Sequence, residues 1–371
     1  MKKQFMPFIT FITALLFIAA GCSQSPQAKE TPPRMAAAAP AKKDGLPNVK
    51  ILATGGTIAG AAPSKTSATE YTAGAIGVDA LIQAVPEIKE IAHVSGEQIV
   101  NIGSQNMNNE TLLKLAKRVN KLLKSDDTDG IVITHGTDTL EETAYFLNLT
   151  VKSDKPVVVA GSMRPSTAIG ADGPSNLYNA VKTAAAPDAK GKGALVVLND
   201  RIASARYVTK TNTTAADTFK SEEMGYIGTI ADDIYFNNII TRKHTKDTDF
   251  QIDKLDKLPQ VDIIYGYQND GSYLFEAAVK SGAQGIIFAG SGNGSMSDEV
   301  QKGAVKSVKS GLAVVRSTRT GNGTVTPNRD YEKDHLTASN SLNPQKALIL
   351  LMLALTKTHD PKRIQTYFNE Y

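Results

Sequence analysis

The chain has very few of the residues that usually build metal and disulfide sites. Only one of its 371 residues is cysteine, which excludes an intramolecular disulfide framework and a cysteine-rich zinc or iron–sulfur centre. Its five histidines are scattered, without a close pair or an HExxH sequence, so no histidine-based metal site is expected; they are His93, His135, His244, His335 and His359. With 41% apolar and 21% charged residues, the composition is that of a globular protein.

The main part of the chain has no excess of either charge. The formal net charge of +4 comes from residues 1–45, which contain six basic and two acidic side chains. The 326 residues that follow hold 35 of each sign. Because the basic excess lies in a tail, no phosphate-binding surface is predicted, and nucleic acid is not an expected partner.

The N-terminus has the pattern of an export signal. Lys2 and Lys3 precede a mostly apolar run, Phe5–Ala20, which ends in small residues before Cys22. This run of 16 residues is shorter than a membrane span of about 20. The position of Cys22 resembles the lipobox of bacterial lipoproteins. It implies cleavage before Cys22, its lipidation, and anchoring to the outer face of the cell membrane or release after shedding. The alternative is plain secretion with an incidental cysteine.

The rest of the chain predicts a tether followed by two α/β domains. After the signal peptide at 1–21, a stretch rich in Ser, Pro, Ala and Lys predicts a flexible tether over 22–45. Then β-branched runs alternate with amphipathic stretches, which favours a parallel sheet covered by helices on both faces. A charged stretch, Lys243–Leu258, interrupts the pattern. The expected divisions are a larger N-terminal catalytic domain with a parallel or mixed sheet and flanking helices over 46–238, a connector over 239–260, and a smaller flavodoxin-like α/β domain over 261–371.

The periodicity places the main elements. The predicted strands are Val49–Ala53, Gln98–Ile102, Gly130–Thr134, Pro156–Ala160, Ala194–Leu198, Val261–Gly266, Gly285–Ala289 and Leu312–Arg316. The predicted helices are Asn109–Leu123, Leu140–Leu149, Ser175–Ala186, Tyr273–Ser281, Asp298–Ser310, Pro344–Thr356 and Pro361–Asn369. In open α/β sheets ligands bind beyond the carboxyl ends of the strands, so the residues that follow each strand are the candidates for a site.

Threonine-containing turns follow two of these strands. After the first strand, Gly55 and Gly56 allow a sharp turn and Thr57 offers a hydroxyl. A tight turn with a hydroxyl cap is the structural alternative. Neither GxGxxG nor GxxxxGK[ST] is present, which argues against a dinucleotide or P-loop site. After Gly130–Thr134, the carboxylate of Asp138 either caps the next helix or lies beside Thr57.

Two hydroxyls and a carboxylate at strand ends suit acyl transfer by a threonine nucleophile. Such a hydroxyl is a weak nucleophile unless a base removes its proton. Without a suitably placed histidine or cysteine, lysine and tyrosine are the remaining candidates. Lys210 is one of them because it follows a strand-like piece and is flanked by threonines, although most lysines are solvated surface charges.

Six segments of the chain, in order, carry a family pattern: ATGGTIAG (53–60), GEQIVNIGSQ (96–105), ITHGTDTLEETAYFL (133–147), SMRPSTAIGADGP (162–174), VTKTNTT (208–214) and LNPQKA (342–347). Together they resemble the type II bacterial L-asparaginases of the asparaginase–glutaminase superfamily, over residues 46–371. The resemblance implies hydrolysis of L-asparagine to L-aspartate and ammonia. It also implies that no cofactor or metal is needed, and a homotetramer with sites shared between subunits.

The resemblance also implies a role for each matching position. Thr57 corresponds to the nucleophile, and Tyr71 to the tyrosine of a mobile loop above it. Thr137, Asp138 and Lys210 correspond to the second catalytic threonine and its two partners.

The substrate-binding positions follow in the same way. Ser104 and Gln105 match the pair that holds the α-carboxylate and α-amino group, and the backbone N–H groups of Thr137 and Ser162 match the oxyanion donors. In the family a neighbouring subunit adds a polar residue and an acid. These correspond here to Ser295 and Asp330.

The chemistry leaves two points open. Thr57 and Thr137 are rival nucleophiles, and Thr57 is favoured because the two glycines before it expose its hydroxyl. An adjacent carboxylate favours the charged form of a lysine. Either burial offsets that effect and Lys210 acts as a base, or Lys210 acts electrostatically while Tyr71 or water moves the proton.

Three other functions compete with an asparaginase. A solute-binding lipoprotein for amino acids suits the anchor and the two lobes, but it needs no nucleophile. An amidotransferase subunit acting on aminoacyl-tRNA is disfavoured by export and by the uncharged main part of the chain. A glutaminase–asparaginase of mixed preference differs only in one substrate methylene, which is worth about 1–3 kcal/mol, so minor glutamine hydrolysis is expected.

Overall fold

Short β-branched segments build the sheets of the first half of the chain in the computed structural model, which describes residues 45–371. The strands are β1 (Asn48–Gly55), β2 (His93–Ile102), β3 (Gly130–Thr134), β4 (Val157–Ala160), β5 (Ala194–Leu198), β6 (Arg201–Ser204), β7 (Thr209–Lys210), β8 (Phe219–Lys220), β9 (Gly228–Ile230) and β10 (Ile234–Phe236). The predicted signal peptide, Cys22 and the tether up to residue 44 lie outside the described residues.

Eight of these strands form one mixed sheet. Its order is β10-β9-β6-β5-β4-β3-β1-β2, with β1 to β5 parallel and β6, β9 and β10 antiparallel. Strands β3, β4 and β5 are buried over their whole length, as expected for continuous Val, Ile and Leu runs between two helical layers. The separate β7–β8 ribbon is antiparallel.

Five helices cover the two faces of this sheet. They are α1 (Val78–Gln83), α2 (Ile88–Ile91), α3 (Asn109–Leu123), α4 (Leu140–Thr150) and α5 (Gly173–Ala185). The apolar sides of α3 and α4 pack on one face, and those of α1, α2 and α5 pack on the other. Helix α3 begins where the Asn108 side chain accepts a hydrogen bond from the Thr111 N–H at 2.9 Å, which is an N-cap.

The second half of the chain repeats the α/β alternation on a smaller scale. Its elements are β11 (Val261–Tyr265), α6 (Tyr273–Ser281), β12 (Gly285–Gly290), α7 (Asp298–Lys309), β13 (Ala313–Thr318), α8 (Arg329–Glu332), β14 (Thr337–Ala338), α9 (Pro344–Ala354) and α10 (Pro361–Glu370). The four strands form a parallel sheet in the order β11-β12-β13-β14.

Helix α9 joins the two halves. From residue 347 to its end at Ala354 its sequence is apolar on every side, and its residues pack both on α4 of the first half and on β11, β12 and β13 of the second. A helix without a polar face has to be covered all round. The two sheets therefore share one hydrophobic cluster.

The predicted fold class, a large N-terminal mixed-sheet domain and a smaller C-terminal α/β domain, is confirmed. The description of the C-terminal domain as flavodoxin-like needs correction. The flavodoxin strand order 2-1-3-4-5 occurs instead in the first five strands of the large sheet. The small sheet, to which it was assigned, runs in simple chain order. Both arrangements arise from the same alternation of strands and helices, so periodicity does not distinguish them. The exact domain boundaries stay predictions.

Candidate active site

The candidate site lies where the strand order of the large sheet reverses. From β1 the chain goes to β2 on one side and then to β3 on the other, and Ala53 of β1 is paired with Thr134 of β3. Both strands are parallel, so their carboxyl ends open into the same crevice. Ligands of open α/β sheets bind at such a switch point. Thr57 and Thr137 follow these two strand ends.

Glycines bring the two strand ends into contact. Gly55 and Gly56 have φ values of 101° and 79°, a region that L side chains rarely adopt. A Cβ atom on Gly56 would lie 2.3 Å from the backbone N and Cα atoms of Gly136. The residues directly before Thr57 and Thr137 are thus in backbone contact, and a side chain at Gly56 would separate them.

The Thr57 hydroxyl is paired with a phenol. Thr57 is 5% exposed, and its Oγ1 atom lies 2.6 Å from the hydroxyl of Tyr71. The segment that carries Tyr71 is held by a bridge between Ala61 and Thr72. The ring of Tyr71 packs against Gly60, where a Cβ atom would lie 2.8 Å from the ring. These contacts place a weakly acidic group directly on the hydroxyl.

The Thr137 hydroxyl is paired with an ammonium group. The Lys210 Nζ atom lies 3.0 Å from Thr137 Oγ1 and 2.7 Å from Asp138 Oδ1. The Lys210 side chain is 17% exposed, whereas that of Asp138 is 58% exposed. Lys210 therefore donates hydrogen bonds to both neighbours. The carboxylate faces the open side, where it can meet a cationic ligand group.

Ser104 connects the end of β2 to the same loop. It begins a short 3-10 turn, Ser104–Asn106, and is 4% exposed. Its hydroxyl accepts a hydrogen bond from the Asp138 N–H at 3.1 Å, and its carbonyl accepts one from the Thr139 hydroxyl at 2.9 Å. Gln105 is exposed beside it. The predicted α-carboxylate and α-amino contacts thus border Asp138.

Ser162 follows β4, the neighbour of β3. Its hydroxyl donates to the Arg164 carbonyl at 2.7 Å, and the Asp172 carboxylate accepts from the next two backbone N–H groups. A Cβ atom on Gly161 would lie 3.2 Å from Thr137 Cγ2, so the two loops are close. Thr137 and Ser162 are buried residues, and within residues 45–371 neither backbone N–H donates a hydrogen bond. A buried donor without a partner is costly unless a ligand or water fills it.

A buried histidine shapes the Thr137 loop and was missed as a site residue. His135 is fully buried, and burial lowers its pKa to about 4. The ring is therefore neutral near pH 7. Its Nδ1–H donates to the Gly136 carbonyl at 2.7 Å, and Nε2 accepts from the Thr143 hydroxyl at 2.9 Å. The sequence feature that could have identified His135 is its position inside the 133–147 motif, directly before Gly136.

The two positions assigned to a neighbouring subunit lie apart from this cluster. Ser295 is in the turn after β12 and Asp330 is in α8, and both are exposed. The Ser295 N–H donates to the Ser291 carbonyl at 2.8 Å, and the Asp330 carboxylate lies 3.8 Å from Lys333 Nζ. No hydrogen bond in the described chain joins either residue to the other candidates. A single subunit thus brings together every described site candidate except Ser295 and Asp330. Gln105 lies next to Ser104 but makes no side-chain hydrogen bond to the other described candidates.

Comparison with known families agrees with this α/β crevice. The family model described as "Asparaginase, N-terminal" matches residues 48–242, and that of the "Glutaminase/Asparaginase C-terminal domain" matches residues 260–368. The chain therefore belongs to the asparaginase–glutaminase superfamily. The predicted type II family is confirmed.

Individual relatives agree with the assignment. L-asparaginase 2 of Bacillus subtilis (strain 168) is 74% identical over 378 residues, which cover 100% of both chains. A probable periplasmic L-asparaginase of Haemophilus influenzae is 52% identical, over 88% of this chain and 93% of that protein. The crystal structure of a probable cytoplasmic L-asparaginase from Campylobacter jejuni is 51% identical. It superposes with a TM-score of 0.86 over 88% of this chain and 100% of that one.

These comparisons contradict the predicted location. The sequence predicted a lipid anchor on the outer face of the cell membrane, whereas the names of two relatives place those proteins in the periplasm and in the cytoplasm. The anchor is therefore not retained as a property of this protein. In residues 45–371 no helix is long and apolar enough to cross a bilayer, and no group of three or more His, Cys, Asp and Glu side chains could hold a metal ion.

Proposed function

We propose that this protein hydrolyses L-asparagine to L-aspartate and ammonia, with Thr57 as the nucleophile. The observation that carries the proposal is the pair of buried threonines at the switch point of the sheet. One hydroxyl lies 2.6 Å from a phenol, and the other lies 3.0 Å from an ammonium group. Two hydroxyls with different polar partners in one crevice suit the formation and the later hydrolysis of an acyl-enzyme. The family membership supports the same reaction.

The binding groups match a small zwitterion with a side-chain amide. The Asp138 side chain is 58% exposed beside Thr137 and can meet the substrate ammonium. Ser104 and Gln105 border it and can hold the α-carboxylate and the α-amino group. This anchoring fixes the distance from Cα to the reacting carbon, so the amide carbon comes to rest beside Thr57.

In the first half-reaction, the Thr57 oxygen bonds to the amide carbon. Its proton passes to the Tyr71 oxygen while the phenol gives up its own proton toward the amide nitrogen. The unpaired N–H groups of Thr137 and Ser162 receive the negative charge that develops on the carbonyl oxygen. Removing one such donor typically costs about 10²–10³ in rate. The C–N bond then breaks, and the nitrogen takes up a proton and leaves as ammonia.

In the second half-reaction, water attacks the aspartyl ester and releases aspartate and free Thr57. Lys210 donates to Asp138 Oδ1 at 2.7 Å and to Thr137 Oγ1 at 3.0 Å, and we assign it an electrostatic role. Because it donates to Thr137 Oγ1, the hydrogen of the Thr137 hydroxyl is free to point at the water or the leaving group. Tyr71 or water then carries the proton.

We further propose a homotetramer in which Ser295 and Asp330 complete the site of a neighbouring subunit. Their exposure and their separation from Thr57 within one chain support this assignment. The test mixes two inactive variants, Thr57→Ala and Asp330→Ala, after mild dissociation. Recovery of part of the activity is expected, because some sites then combine an intact Thr57 with an intact acid. No recovery in mixed tetramers would contradict shared sites.

The main test is ammonia release from L-asparagine, L-glutamine and D-asparagine. We expect rapid release from L-asparagine and slower release from L-glutamine, since one methylene changes the binding by only about 1–3 kcal/mol. The Thr57→Ala variant should bind L-asparagine without releasing ammonia. Binding without turnover by the native protein would instead indicate a solute-binding function.

A further inference from the structure

The motif LNPQKA at 342–347 has no role in the chemistry above, although it lies far along the chain from the other motifs. It begins α9, which packs on both halves of the molecule. Its first polar residue, Asn343, caps this helix by accepting a hydrogen bond from the Lys346 N–H at 3.1 Å. Of the other polar side chains of the motif, Gln345 donates to Glu141 of α4, and Lys346 donates to the backbone shortly before Lys210.

Lys210 lies on β7, a strand too short to be held in position by its own backbone pairing. Strand β7 consists of Thr209 and Lys210, and in the described chain it pairs only with the equally short β8. Neither strand belongs to the large or the small sheet. Side chains of adjacent strand residues point to opposite sides. Lys210 faces Thr137 and Asp138, and Thr209 faces the start of α9.

The Thr209 hydroxyl is held by two partners. It donates to the Glu141 carboxylate and accepts a hydrogen bond from Asn343 Nδ2 at 2.8 Å. Glu141 is 4% exposed and is the second residue of α4, three positions after Asp138. Two adjacent residues of β7 therefore contact two acids that are three positions apart. Lys210 contacts Asp138, and Thr209 contacts Glu141.

The motif holds the same carboxylate and the same segment at further points. Gln345 Nε2 donates to Glu141 Oε1 at 2.6 Å, and Lys346 Nζ lies 3.7 Å from Glu141 Oε2. Lys346 also donates to the carbonyls of Arg206 and Val208, which directly precede β7. Lys346 is fully buried, and burial lowers its pKa to about 8. A buried charge pair is tolerated only when its hydrogen bonds are satisfied, so the arrangement has little freedom.

We propose that Glu141, Thr209 and the polar residues of the LNPQKA motif form a positioning unit that holds Lys210 in hydrogen-bonding distance of Thr137. None of these side chains touches the reacting atoms. They act by fixing the position of the Lys210 side chain. The site in the N-terminal half therefore depends on the packing of α9, a helix of the C-terminal half. The inference rests on the function proposed above, since it presumes that Lys210 takes part in the reaction.

The test uses three substitutions around Lys210. Thr209→Val keeps the shape and removes the hydroxyl, and Thr209→Ser restores it. Thr211→Val is the matched control, because Thr211 lies on the other side of Lys210 and donates to the Thr218 carbonyl at 2.8 Å. We expect Thr209→Val to lower kcat by about tenfold to a hundredfold, since small misplacements of a catalytic group have effects of that size. KM should stay within about threefold. Thr209→Ser and Thr211→Val should stay near the native kcat.

A double-variant cycle separates positioning from a general structural effect. In a Lys210→Met background there is no cation to position, so Thr209→Val should lower kcat no further. An equal further loss in that background would overturn the proposal, as would native kcat in Thr209→Val. Should Thr209→Val not fold, Gln345→Met removes a single donor to Glu141, and the same cycle applies with a smaller effect.

A structural readout distinguishes failure of this proposal from failure of the proposed function. In a crystal structure of Thr209→Val, the distance from Lys210 Nζ to Thr137 Oγ1 should exceed 3.5 Å, compared with 3.0 Å in the native chain. An unchanged distance would refute the positioning role whatever the activity. A lengthened distance together with full activity in Lys210→Met would instead refute the role of Lys210 in the reaction.

Discussion

The two strand ends that form the site carry the same residue in different surroundings. Thr57 follows β1, and its hydroxyl lies 2.6 Å from the phenol of Tyr71. Thr137 follows β3 and meets a cation at 3.0 Å, in a loop fixed by a buried histidine. A phenol can relay the proton of a neighbouring hydroxyl by passing its own proton on, whereas a hydroxyl that accepts a hydrogen bond from a cation is better suited to stabilising charge. The difference assigns attack to the first threonine and assistance to the second.

The largest effect should come from removing the attacking hydroxyl. Thr57→Ala should lower kcat by about 10³-fold or more, because the other hydroxyl of the crevice, that of Thr137, accepts a hydrogen bond from Lys210 and is assigned to assist rather than to attack. Ammonia release under saturating L-asparagine measures it, and Thr57→Ser, which keeps a hydroxyl, should retain part of the activity. Rapid quenching of the native enzyme should locate the aspartyl ester on Thr57 by mass spectrometry. An ester on Thr137 would reverse the two roles.

Loss of the cation should come next. Lys210→Met should lower kcat by about 10²–10³-fold, which is typical of removing one electrostatic stabiliser of the developing charge. Thr137→Ala should act on the same step, so the double variant should be scarcely worse than either single one. Lys220→Met is the matched control, because it removes a charge from β8 of the same ribbon. Fully additive losses would show that Thr137 and Lys210 act independently.

A smaller effect is expected at the phenol. Tyr71→Phe should lower kcat by about tenfold to a hundredfold, because water can replace the phenol as proton carrier but is less well placed. Steady-state kinetics with L-asparagine tests this, with Tyr235→Phe as the exposed control on β10. Native kcat in Tyr71→Phe would exclude the phenol as the proton carrier. The different roles assigned to Thr57 and Thr137 would then lose their basis.

The last effect concerns stability in acid rather than turnover, and it belongs to the Thr137 loop alone. His135 has a pKa of about 4 in the folded state and about 6.5 in the unfolded chain, so the unfolded chain binds more protons between these values. The free energy of unfolding should therefore fall as the pH drops from 6.5 to 4, by at most about 3 kcal/mol from this residue. Urea titrations across this range measure it. His135→Gln should flatten the slope and the exposed His359→Gln should not; an unchanged slope in His135→Gln would contradict the assignment.

The sequence predicted strands and helices well where a short-range signal, an apolar run or helical spacing, determines them. The bounds of β3, β5 and α6 agree with the prediction to the residue, because apolar runs and helical spacing are short-range signals. The antiparallel strands β6, β9 and β10 were missed, since they are only three or four residues long and partly polar. Strand order depends on contacts that are distant in sequence. This is why the flavodoxin order was assigned to the wrong domain.

The candidate site shows the same division. The threonines, Asp138 and Lys210 were found from the motifs, and the structure places them together, although their roles stay proposals. His135 and Glu141 lie inside one of those motifs and were passed over, because their importance comes from partners elsewhere. Thr143 is a single helical turn after the loop, but Asn343 and Gln345 are about 200 residues from Glu141. Sequence spacing carries no information about such contacts.

The apolar helix α9 has a consequence for how the molecule can come apart. Its side chains complete the interior of both sheets, so neither sheet keeps a closed interior without it. A fragment that ends before residue 344 would leave α4 uncovered in the first half and β12 uncovered in the second. The two halves are distinct in architecture but should melt as one cooperative block, and neither is a promising unit to express alone.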